Sequence, residues 1–370
     1  MSDAVLVTGG GGFIGSHLVR VLVAGGRRVR ILDSLEPQVH EGRRPQLPAG
    51  VELFEGDVAD PSVWPKALNG VSDVVHLAAT VGVGQSMYEI VRYCRANVVG
   101  TAQLLEAIIE RRQQIRKLVV ASSMSLYGEG AYRCPECAVP REGDRRVEDL
   151  ARSRWEPLCA ACGSELVPEP TPEEKVPRPS SVYAVNKRDQ EELCLAIGQA
   201  YRIPTLALRF FNVYGPGQAL GNPYTGVAAI FASCLLAGQP PLVFEDGRQL
   251  RDFVHVSDVA AACLKALSCQ ASGLAINIGT GRAVSVLDVA SALRYAIGGP
   301  PPKFLGTFRP GDVRHCFADV RKARDVLGWT PTITFEEGMQ SLAEWLRSQE
   351  GRPDRQVAAI AEMRARGLVR

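Results

Sequence analysis

Short apolar runs rich in β-branched residues alternate with amphipathic stretches along the first 125 residues. The apolar runs predict strands at residues 5–8, 29–33, 51–57, 73–78 and 117–123. The stretches between them predict helices at residues 13–24, 61–68 and 87–111. Near-continuous apolar strands that alternate with helices are typical of a parallel sheet covered on both faces. We therefore expect an α/β fold with a doubly wound sheet.

The regular pattern stops near residue 130 and resumes near residue 178. The stretch between these points holds two Cys-x-x-Cys pairs, many charges and several prolines, which indicates an insertion. A predicted helix at residues 182–201 and a strand at 205–210 follow it. We predict a nucleotide-binding domain over residues 1–208 with an insertion at 130–178, and a smaller, partly interleaved α+β substrate domain over 209–348. Residues 349–370 predict a surface tail helix.

A glycine-rich turn, TGGGGFIG at residues 8–15, follows the first predicted strand and opens the first predicted helix. Glycines permit a tight turn and let the backbone approach a pyrophosphate at the positive end of that helix. Asp33 ends the second predicted strand, where its carboxylate can accept from both ribose hydroxyls of NAD and repel a 2′-phosphate. A Rossmann site for NAD, in preference to NADP, follows. Its expected contacts in the turn are Gly9, Gly12, Phe13, Ile14 and Gly15.

Tyr183 and Lys187 lie four residues apart at the start of a predicted helix and therefore share one face. A free phenol has a pKa of about 10 and is a poor base at neutral pH. A nearby ammonium and the positive nicotinamide both lower that pKa, so Tyr183 can take a proton from a sugar hydroxyl while hydride leaves the same carbon. Ser123, beside Ser122 at the end of the fifth predicted strand, can meet the same oxygen. We predict a catalytic set of Ser123, Tyr183 and Lys187.

With these motifs the chain resembles the extended short-chain dehydrogenases/reductases, and within them the NAD-dependent nucleotide-sugar epimerases and dehydratases. The motifs that carry the resemblance are TGGGGFIG, HLAA, NVVGT, SSMSLYG, YAVNK, RFFNVYGP, RDFVHVSDVA and RPGD, spread from residue 4 to about residue 346. The resemblance implies further NAD contacts at Asp57, Val58, Leu77, Ala78, Ala79, Asn97, Ser122 and Phe210, besides Tyr183 and Lys187 themselves. It also implies substrate contacts at Ser123, Asn212, Tyr224, Arg251, Arg309 and Cys316.

The family includes epimerases and dehydratases, and individual residues of this chain indicate which of these reactions to expect. Arg251 and Arg309 suit a sugar nucleotide's diphosphate, because guanidinium groups grip such anions well. The 4,6-dehydratases of this family carry an acid after the catalytic hydroxyl, where this chain has Met124 and Ser125. Without that acid, we expect a 4-epimerase that keeps NAD tightly bound.

The expected substrate is a dTDP- or UDP-linked sugar. The chain looks most like enzymes that interconvert dTDP-L-rhamnose and dTDP-6-deoxy-L-talose. Epimerisation of UDP-glucose, UDP-N-acetylglucosamine or UDP-glucuronate is the alternative. A sugar-nucleotide 4-ketoreductase and a non-catalytic NAD(H) sensor are further alternatives.

Cys134, Cys137, Cys159 and Cys162 form two Cys-x-x-Cys pairs. Four thiolates give the tetrahedral site that zinc prefers, and four protein ligands close it, so we predict a structural zinc ribbon. Two disulfides or an iron–sulfur cluster are alternatives. Because the insertion lies between Ser123 and Tyr183 in sequence, we expect it at the active-site rim, as a lid or a dimer contact.

Composition adds limits on partners and location. The 370 residues carry 42 basic and 40 acidic side chains, a net charge of +2, which gives no field suited to nucleic acid. No apolar run approaches the roughly 18 residues that span a bilayer, and the N-terminus carries no leader pattern. We expect a cytoplasmic enzyme with no membrane or nucleic-acid partner, and the family resemblance suggests a homodimer.

Overall fold

The structure is a computed structural model that describes residues 4–40, 42–219, 226–349 and 356–370. Its centre is a parallel sheet of seven strands in the order β7-β6-β5-β4-β1-β2-β3. These strands, numbered β1 to β7 in chain order, are Ala4–Thr8, Val29–Asp33, Glu52–Glu55, Val71–His76, Lys117–Ser123, Thr205–Phe210 and Leu274–Ile278. The strand order reverses between β1 and β4, and such a switch point opens a crevice at the carboxyl ends of the strands.

Helices cover both faces of the sheet, as the alternating pattern predicts. The longer helices, numbered α1 to α8, are Phe13–Ala24, Gly100–Glu110, Val182–Tyr201, Val227–Leu236, Val256–Ser268, Val286–Ile297, Phe335–Arg347 and Gln356–Ala365. Helices α1 and α5 pack on one face, and α2 and α3 pack on the other. Shorter helical segments are Pro37–His40, Pro61–Val63, Trp64–Ala67, Val83–Ser86, Ile90–Cys94, Met124–Tyr127, Val147–Leu150 and Arg321–Leu327. Among the described residues, no helix is long and apolar enough to cross a membrane.

The predicted helix at residues 87–111 is broken into three parts. A five-residue π-helical segment, Arg95–Val99, lies between the short helix Ile90–Cys94 and α2. It contains Asn97, whose side chain is fully buried. π-Helical segments often occur at functional sites because they redirect a side chain out of the regular helical register.

The sheet draws on both halves of the chain. Strand β7 and helix α5 lie beyond residue 208 but belong to the sheet and its cover. Helix α4, which precedes them in the chain, and helices α6 and α7, which follow them, form a second core. Small sheets attach this unit to the site: Asn212–Tyr214 with Phe253–His255, Leu242–Val243 with Lys303–Phe304, and Leu250–Arg251 between Val284–Ser285 and His315–Cys316.

The insertion at residues 130–178, called the cysteine insertion below, has a small antiparallel sheet of its own. Strand Ala131–Cys134 lies between Val139–Arg141 and Val167–Glu169. Thr171 joins it to the rest of the molecule by a bridge to Ala318, with its amide donating to Phe317 O at 2.8 Å. The insertion is therefore anchored beside the strand that contains His315 and Cys316.

The tail is not the plain surface helix that the sequence predicts. Helix α8 buries Ile360 and Met363 against Leu242, Phe244 and other apolar side chains. The side-chain amide of Gln356 accepts from Leu242 N at 3.2 Å and donates to Leu242 O at 3.1 Å. Since these contacts join segments more than a hundred residues apart, the local pattern could not indicate them.

Candidate active site

The glycine-rich turn has a shape that only glycine allows at two of its positions. Gly9 has a φ of +67°, and a Cβ there would lie 2.9 Å from the backbone of Ala78. A Cβ on Gly15 would lie 2.3 Å from Gly9 O. Gly12 precedes α1 without any side-chain cap. The amides at this helix start are thus accessible to an anion, as a pyrophosphate requires.

Asp33 lies at the end of β2 with its carboxylate held by three donors. It accepts from Gly11 N at 2.9 Å and Leu35 N at 3.0 Å, and His40 Nε2 lies 3.3 Å away. Burial raises the pKa of Asp33, but the bonds from His40, Leu35 and Gly11 outweigh it and hold the pKa below its ordinary value. The carboxylate is therefore ionised beside the turn, as selection against a 2′-phosphate requires. His40 has no pattern around it that marked it in the sequence.

Several residues expected to contact NAD act as scaffolding for the loop after β4. Leu77 N donates to Thr8 O at 3.1 Å, and Ala78 N donates to Thr8 Oγ1 at 3.2 Å. Asn97 accepts from Thr80 N at 2.8 Å and donates to Thr80 O at 3.0 Å. These bonds place the 77–80 loop, including Ala79, against the glycine-rich turn.

A second group of expected NAD contacts lies in the sheet and beside it. Asp57 accepts from Ala59 N at 2.9 Å. Val58 packs closely against Gly100, so closely that a Cβ on that glycine would lie 2.5 Å from the Val58 side chain. Phe210 is buried in the core on α1's face of the sheet. The hydroxyl of Ser122 donates to Glu191 at 2.6 Å, so this side chain serves a buried ion pair between Glu191 and Arg209.

Helix α3 brings the reacting side chains together. Its start is capped by Ser181, whose hydroxyl accepts from Ala184 N at 3.1 Å. Tyr183 lies in the first turn and lines the same cavity as Ser123. One turn later, the buried Lys187 donates to Ala121 O at 2.9 Å. The predicted trio therefore meets at the carboxyl end of β5.

Burial controls the protonation of this trio. Burial raises the pKa of Tyr183 to about 12, although the nearby Ser123 hydroxyl acts in the opposite direction. It also lowers the pKa of Lys187 to about 8. At neutral pH Lys187 is still mostly a cation, and a cation near a phenol favours the phenolate. The resting protein thus holds a protonated tyrosine one helical turn from a lysine ammonium that can assist its ionisation.

Behind Lys187 lies a buried polar array that the sequence analysis did not identify. His76 meets Thr8 Oγ1 at 2.7 Å and Thr101 Oγ1 at 3.0 Å, and Gln190 donates to the same threonine hydroxyl at 2.8 Å. Burial lowers the pKa of His76 to about 3, with Lys187 adding to the effect. A neutral imidazole in this position leaves the positive charge on Lys187. HLAA was visible in the sequence as a motif, but its histidine had no assigned partner.

A cleft of about 470 Å³ joins this end to the second unit. Ser123 and Tyr183 line one end of it, together with Phe13 and Ile14 from the cofactor side. Asn212, Arg251 and Arg309 line it farther along, so the structure brings these predicted residues to one cavity. Among the described residues, the buried side-chain Oδ1 of Asn212 has no hydrogen-bond partner, which suits an acceptor for a ligand.

The two arginines are fixed before any ligand arrives. Arg251 donates to Leu250 O and Arg314 O, both at 2.9 Å, and to Val313 O. Arg309 donates to Asp312 Oδ2 at 3.0 and 2.5 Å and stacks over Phe244. Burial raises the pKa of Asp312, but Arg309 and Arg251 outweigh it and lower the pKa below its ordinary value. Preorganised guanidinium groups of this kind suit a diphosphate.

Two predicted substrate residues are not found in the described lining of the cleft. Cys316 packs behind the cleft residues Met124 and Phe211, with its Sγ 3.7 Å from Thr171 Oγ1 at the base of the cysteine insertion. The substrate contact that the resemblance implies for Cys316 therefore stays a prediction. Tyr224 falls outside the described residues. Conversely, α8 contributes lining that the sequence did not predict, at Gln356, Ala359, Ile360 and Met363.

The four cysteines of the insertion converge. Their Sγ atoms all lie within 4.8 Å of one another, with Cys134 and Cys162 3.4 Å apart and Cys137 and Cys159 4.0 Å apart. The two sulfur atoms of a disulfide lie about 2.05 Å apart. Two sulfur ligands that each lie about 2.3 Å from one tetrahedral zinc are about 3.8 Å apart, which is close to the separations found here. The donor set and its spacing therefore fit a four-thiolate metal site.

Comparison with known proteins places these features in a family. Residues 5–279 match the NAD dependent epimerase/dehydratase family. A dTDP-L-rhamnose 4-epimerase of Burkholderia thailandensis is 36% identical over 350 residues, which cover 93% of this chain and 95% of that protein. The UDP-glucose 4-epimerase of Thermotoga maritima, solved with UDP-glucose, is 30% identical with a TM-score of 0.74, covering 93% and 98% of the two chains.

A third relative was solved with the cofactor. The Thermus thermophilus UDP-glucose 4-epimerase in complex with NAD is 31% identical with a TM-score of 0.73, covering 93% of this chain and 99% of that one. The seven-stranded sheet, the glycine-rich turn and the Tyr183–Lys187 pair thus occur in a chain that belongs to the NAD dependent epimerase/dehydratase family.

Proposed function

We propose that the chain is an NAD-dependent nucleotide-sugar 4-epimerase. The observation that carries this proposal is the chemistry of the cleft's reacting end. Among the described residues that line the cleft, only Asp312 has a carboxylate, and it is bound to Arg309. Met124 and Ser125 follow Ser123 and line the cleft, at the positions where a dehydratase needs an acid. Without an acid or base there, proton removal at carbon 5 is not supported, and chemistry at carbon 4 remains.

Tyr183 is the acid–base of the reaction in this proposal. After Tyr183 has lost its own proton, its phenolate, stabilised by Lys187, takes the proton of the sugar's 4-hydroxyl, and Ser123 orients that oxygen. NAD, when bound, supplies the hydride acceptor and later the hydride donor. After the 4-keto sugar turns over, Tyr183 returns the proton to the oxygen on the other face. Small residues at this end, among them Gly82, Gly84 and Ser125, leave space for that rotation.

The NAD-binding residues in this proposal are those of the turn and its surroundings. The pyrophosphate lies on the amides at the start of α1, and Asp33 accepts from the adenosine ribose. Arg251 and Arg309 hold the substrate's diphosphate, and Asn212 donates or accepts beside it. For the sugar nucleotide, dTDP-L-rhamnose is the first candidate because of the 36% identical relative. UDP-glucose, UDP-N-acetylglucosamine and UDP-glucuronate are the alternatives.

The experiment is product analysis without added NAD. Purified protein is incubated with dTDP-L-rhamnose and with the three UDP-sugars, and the products are separated by chromatography. Two carbon-4 epimers that approach equilibrium are expected. A stable keto product, or a requirement for added NADH, would indicate a ketoreductase. A protein that binds NAD(H) but converts none of the sugars would favour the sensor.

We also propose that Cys134, Cys137, Cys159 and Cys162 bind one structural zinc ion. The convergence of the four Sγ atoms supports this, and four protein ligands leave no open position for substrate. Elemental analysis should find about one zinc per chain. A native, active protein without metal would contradict the proposal.

A homodimer is the assembly that we propose. Apolar side chains are exposed on two helices that contact each other. Val91 is 80% and Ile90 is 50% exposed on the short helix Ile90–Cys94, and Val185 is 41% exposed on α3. An exposed apolar patch of this kind is typical of an interface. Sedimentation velocity should show a dimer, and Val91→Asp should shift it to a monomer. A monomeric wild type would contradict the assembly.

A further inference from the structure

We propose that the cysteine insertion is a buttress for the substrate loop, residues 309–316, and that Arg145 and Glu156 are its positioning residues. Through them the insertion holds Arg251 and Arg309 in the arrangement that the diphosphate needs. The inference rests on the proposed function only in assigning a nucleoside diphosphate to these two arginines.

Arg145 connects the middle of the insertion to the loop. Its side chain is 5% exposed, and besides a hydrogen bond to Trp155 O at 3.4 Å it makes three contacts outside the insertion. Nη2 donates to Asp312 O at 2.5 Å, Nη1 donates to Glu245 Oε1 at 2.8 Å, and Nε lies 3.3 Å from Glu129 Oε1. The bond to Asp312 O matters most, because the carboxylate of the same residue holds Arg309. Arg145 therefore fixes the backbone on which Arg309 depends.

Glu156 makes the second connection, three residues before Cys159. Its Oε1 accepts from Arg314 at 3.0 and 2.5 Å, and its Oε2 lies 2.7 Å from His315 Nε2. Arg314 is fully buried, and its carbonyl accepts from Arg251. One carboxylate of the insertion thus restrains two consecutive loop residues, one of which holds a diphosphate arginine.

Other contacts extend the same attachment. Glu129, at the entry to the insertion, accepts from Arg314 N at 2.7 Å and His315 N at 3.2 Å. The ring of Trp155 lies 6.4 Å from that of Phe308, next to Arg309. The loop is therefore held by the insertion at both of its ends.

The carboxylates around Arg314 explain why Glu156 can be replaced without unfolding the protein. Arg314 also pairs with Glu245 at 3.0 Å and Asp246 at 2.7 Å, so the loss of Glu156 leaves no buried cation without a carboxylate. A buried charge that keeps a partner does not carry the large penalty of an uncompensated one. Glu156→Gln should therefore fold and shift the loop, which separates positioning from stability.

The experiment measures binding of UDP and dTDP by isothermal titration calorimetry to the full-length, NAD-loaded protein. Glu156→Gln is compared with Glu148→Gln, the same change at an exposed position of the insertion. Arg145→Met is compared with Arg146→Met, its exposed neighbour. Both test variants should raise Kd about tenfold and both controls less than about twofold. Arg145→Lys should recover part of the affinity.

Turnover adds a readout that a purely structural role would not give. In Glu156→Gln, KM for the sugar nucleotide should rise about tenfold while kcat at saturation changes less than about twofold. The reason is that the diphosphate contacts bind the substrate and the transition state equally, so both lose the same binding energy. NAD and zinc content should match the wild type. Unchanged Kd and KM in both test variants would overturn the proposal.

The outcomes also separate this inference from the proposed function. If the wild type binds UDP or dTDP with the expected dependence on Glu156 and Arg145 but epimerises no sugar, the reaction is wrong and the buttress stands. If the wild type epimerises a sugar nucleotide and both test variants bind UDP and dTDP normally, the proposed reaction stands and the buttress is wrong. If Glu156→Gln loses NAD, Arg145→Met decides, and an unchanged Kd in that variant overturns the proposal.

Discussion

Replacing Lys187 with methionine should remove activity and stabilise the protein at neutral pH. The side chain is 4% exposed, and burial lowers its pKa from 10.5 to about 8. The two pKa values differ by roughly 2.5, which corresponds to a cost of about 3 kcal/mol for keeping the ammonium in the folded protein. Losing the bond to Ala121 O offsets about 1 kcal/mol of the gain. We expect Lys187→Met to be more stable by about 1–3 kcal/mol at pH 7.

The pH dependence gives the sign of this effect. Below about pH 8 the lysine is protonated in both the folded and the unfolded protein, so the folded state bears the full cost. Between about pH 8 and 10.5 the folded protein loses the proton first, and the cost fades. The stability difference between the variant and the wild type should therefore shrink as pH rises from 7 to 10.

The assay is urea unfolding at pH 7 and pH 10, with the NAD content of the proteins matched. Arg188→Met, an exposed change next to Lys187 on α3, is the control and should alter stability by less than about 0.5 kcal/mol. Activity in Lys187→Met should fall by about 10²-fold or more. A variant that is less stable at pH 7, or a difference equal at both pH values, would refute the electrostatic reasoning.

Three further changes test other parts of the site. Tyr183→Phe should lower kcat by about 10³-fold or more with NAD still bound, measured by product formation and by the absorbance of extracted NAD; full activity would contradict its role. Cys134→Ser should reduce the zinc content and lower Tm by about 5 °C, and an unchanged zinc content would argue against the four-thiolate site. Ile360→Asp places a charge at a side chain that is 5% exposed in the cleft wall, so it should raise KM for the sugar nucleotide and cost about 3 kcal/mol of stability. Val357→Asp, where the side chain is 62% exposed on the same helix, is its control, and equal effects in the two would contradict the placement of α8.

The sequence predicted those parts of the fold that depend on local pattern. Helices α1 and α3 and strands β2, β5 and β6 begin and end where the pattern indicates. The glycine-rich turn and the Tyr183–Lys187 spacing were equally readable, because each is fixed within a few residues. The convergence of the four cysteines followed from the ligand chemistry of their spacing.

What the sequence could not show depends on partners distant along the chain. Helix α8 has no strong apolar face, and its burial is determined by Leu242 and Phe244, more than a hundred residues away. His40 beside Asp33, and Glu156 beside Arg314, are ordinary charged or polar residues until the fold brings them together. The resemblance could not show that the side chain of Cys316 lies against Thr171 of the insertion, since the two residues are far apart in sequence.

One end of the cleft has charged side chains and the reacting end has uncharged ones, and the proposed reaction requires this difference. Epimerisation makes one tyrosine serve both faces of carbon 4, so the sugar must turn while the rest of the substrate stays bound. Binding energy must then come from the part that does not move, and Arg251 and Arg309 are fixed by loop carbonyls and by Asp312 for that purpose. The reacting end is lined by small or uncharged side chains that would not trap one orientation. Free UDP or dTDP should therefore retain most of the affinity of the intact sugar nucleotide, and a sugar that contributed most of it would contradict this division of roles.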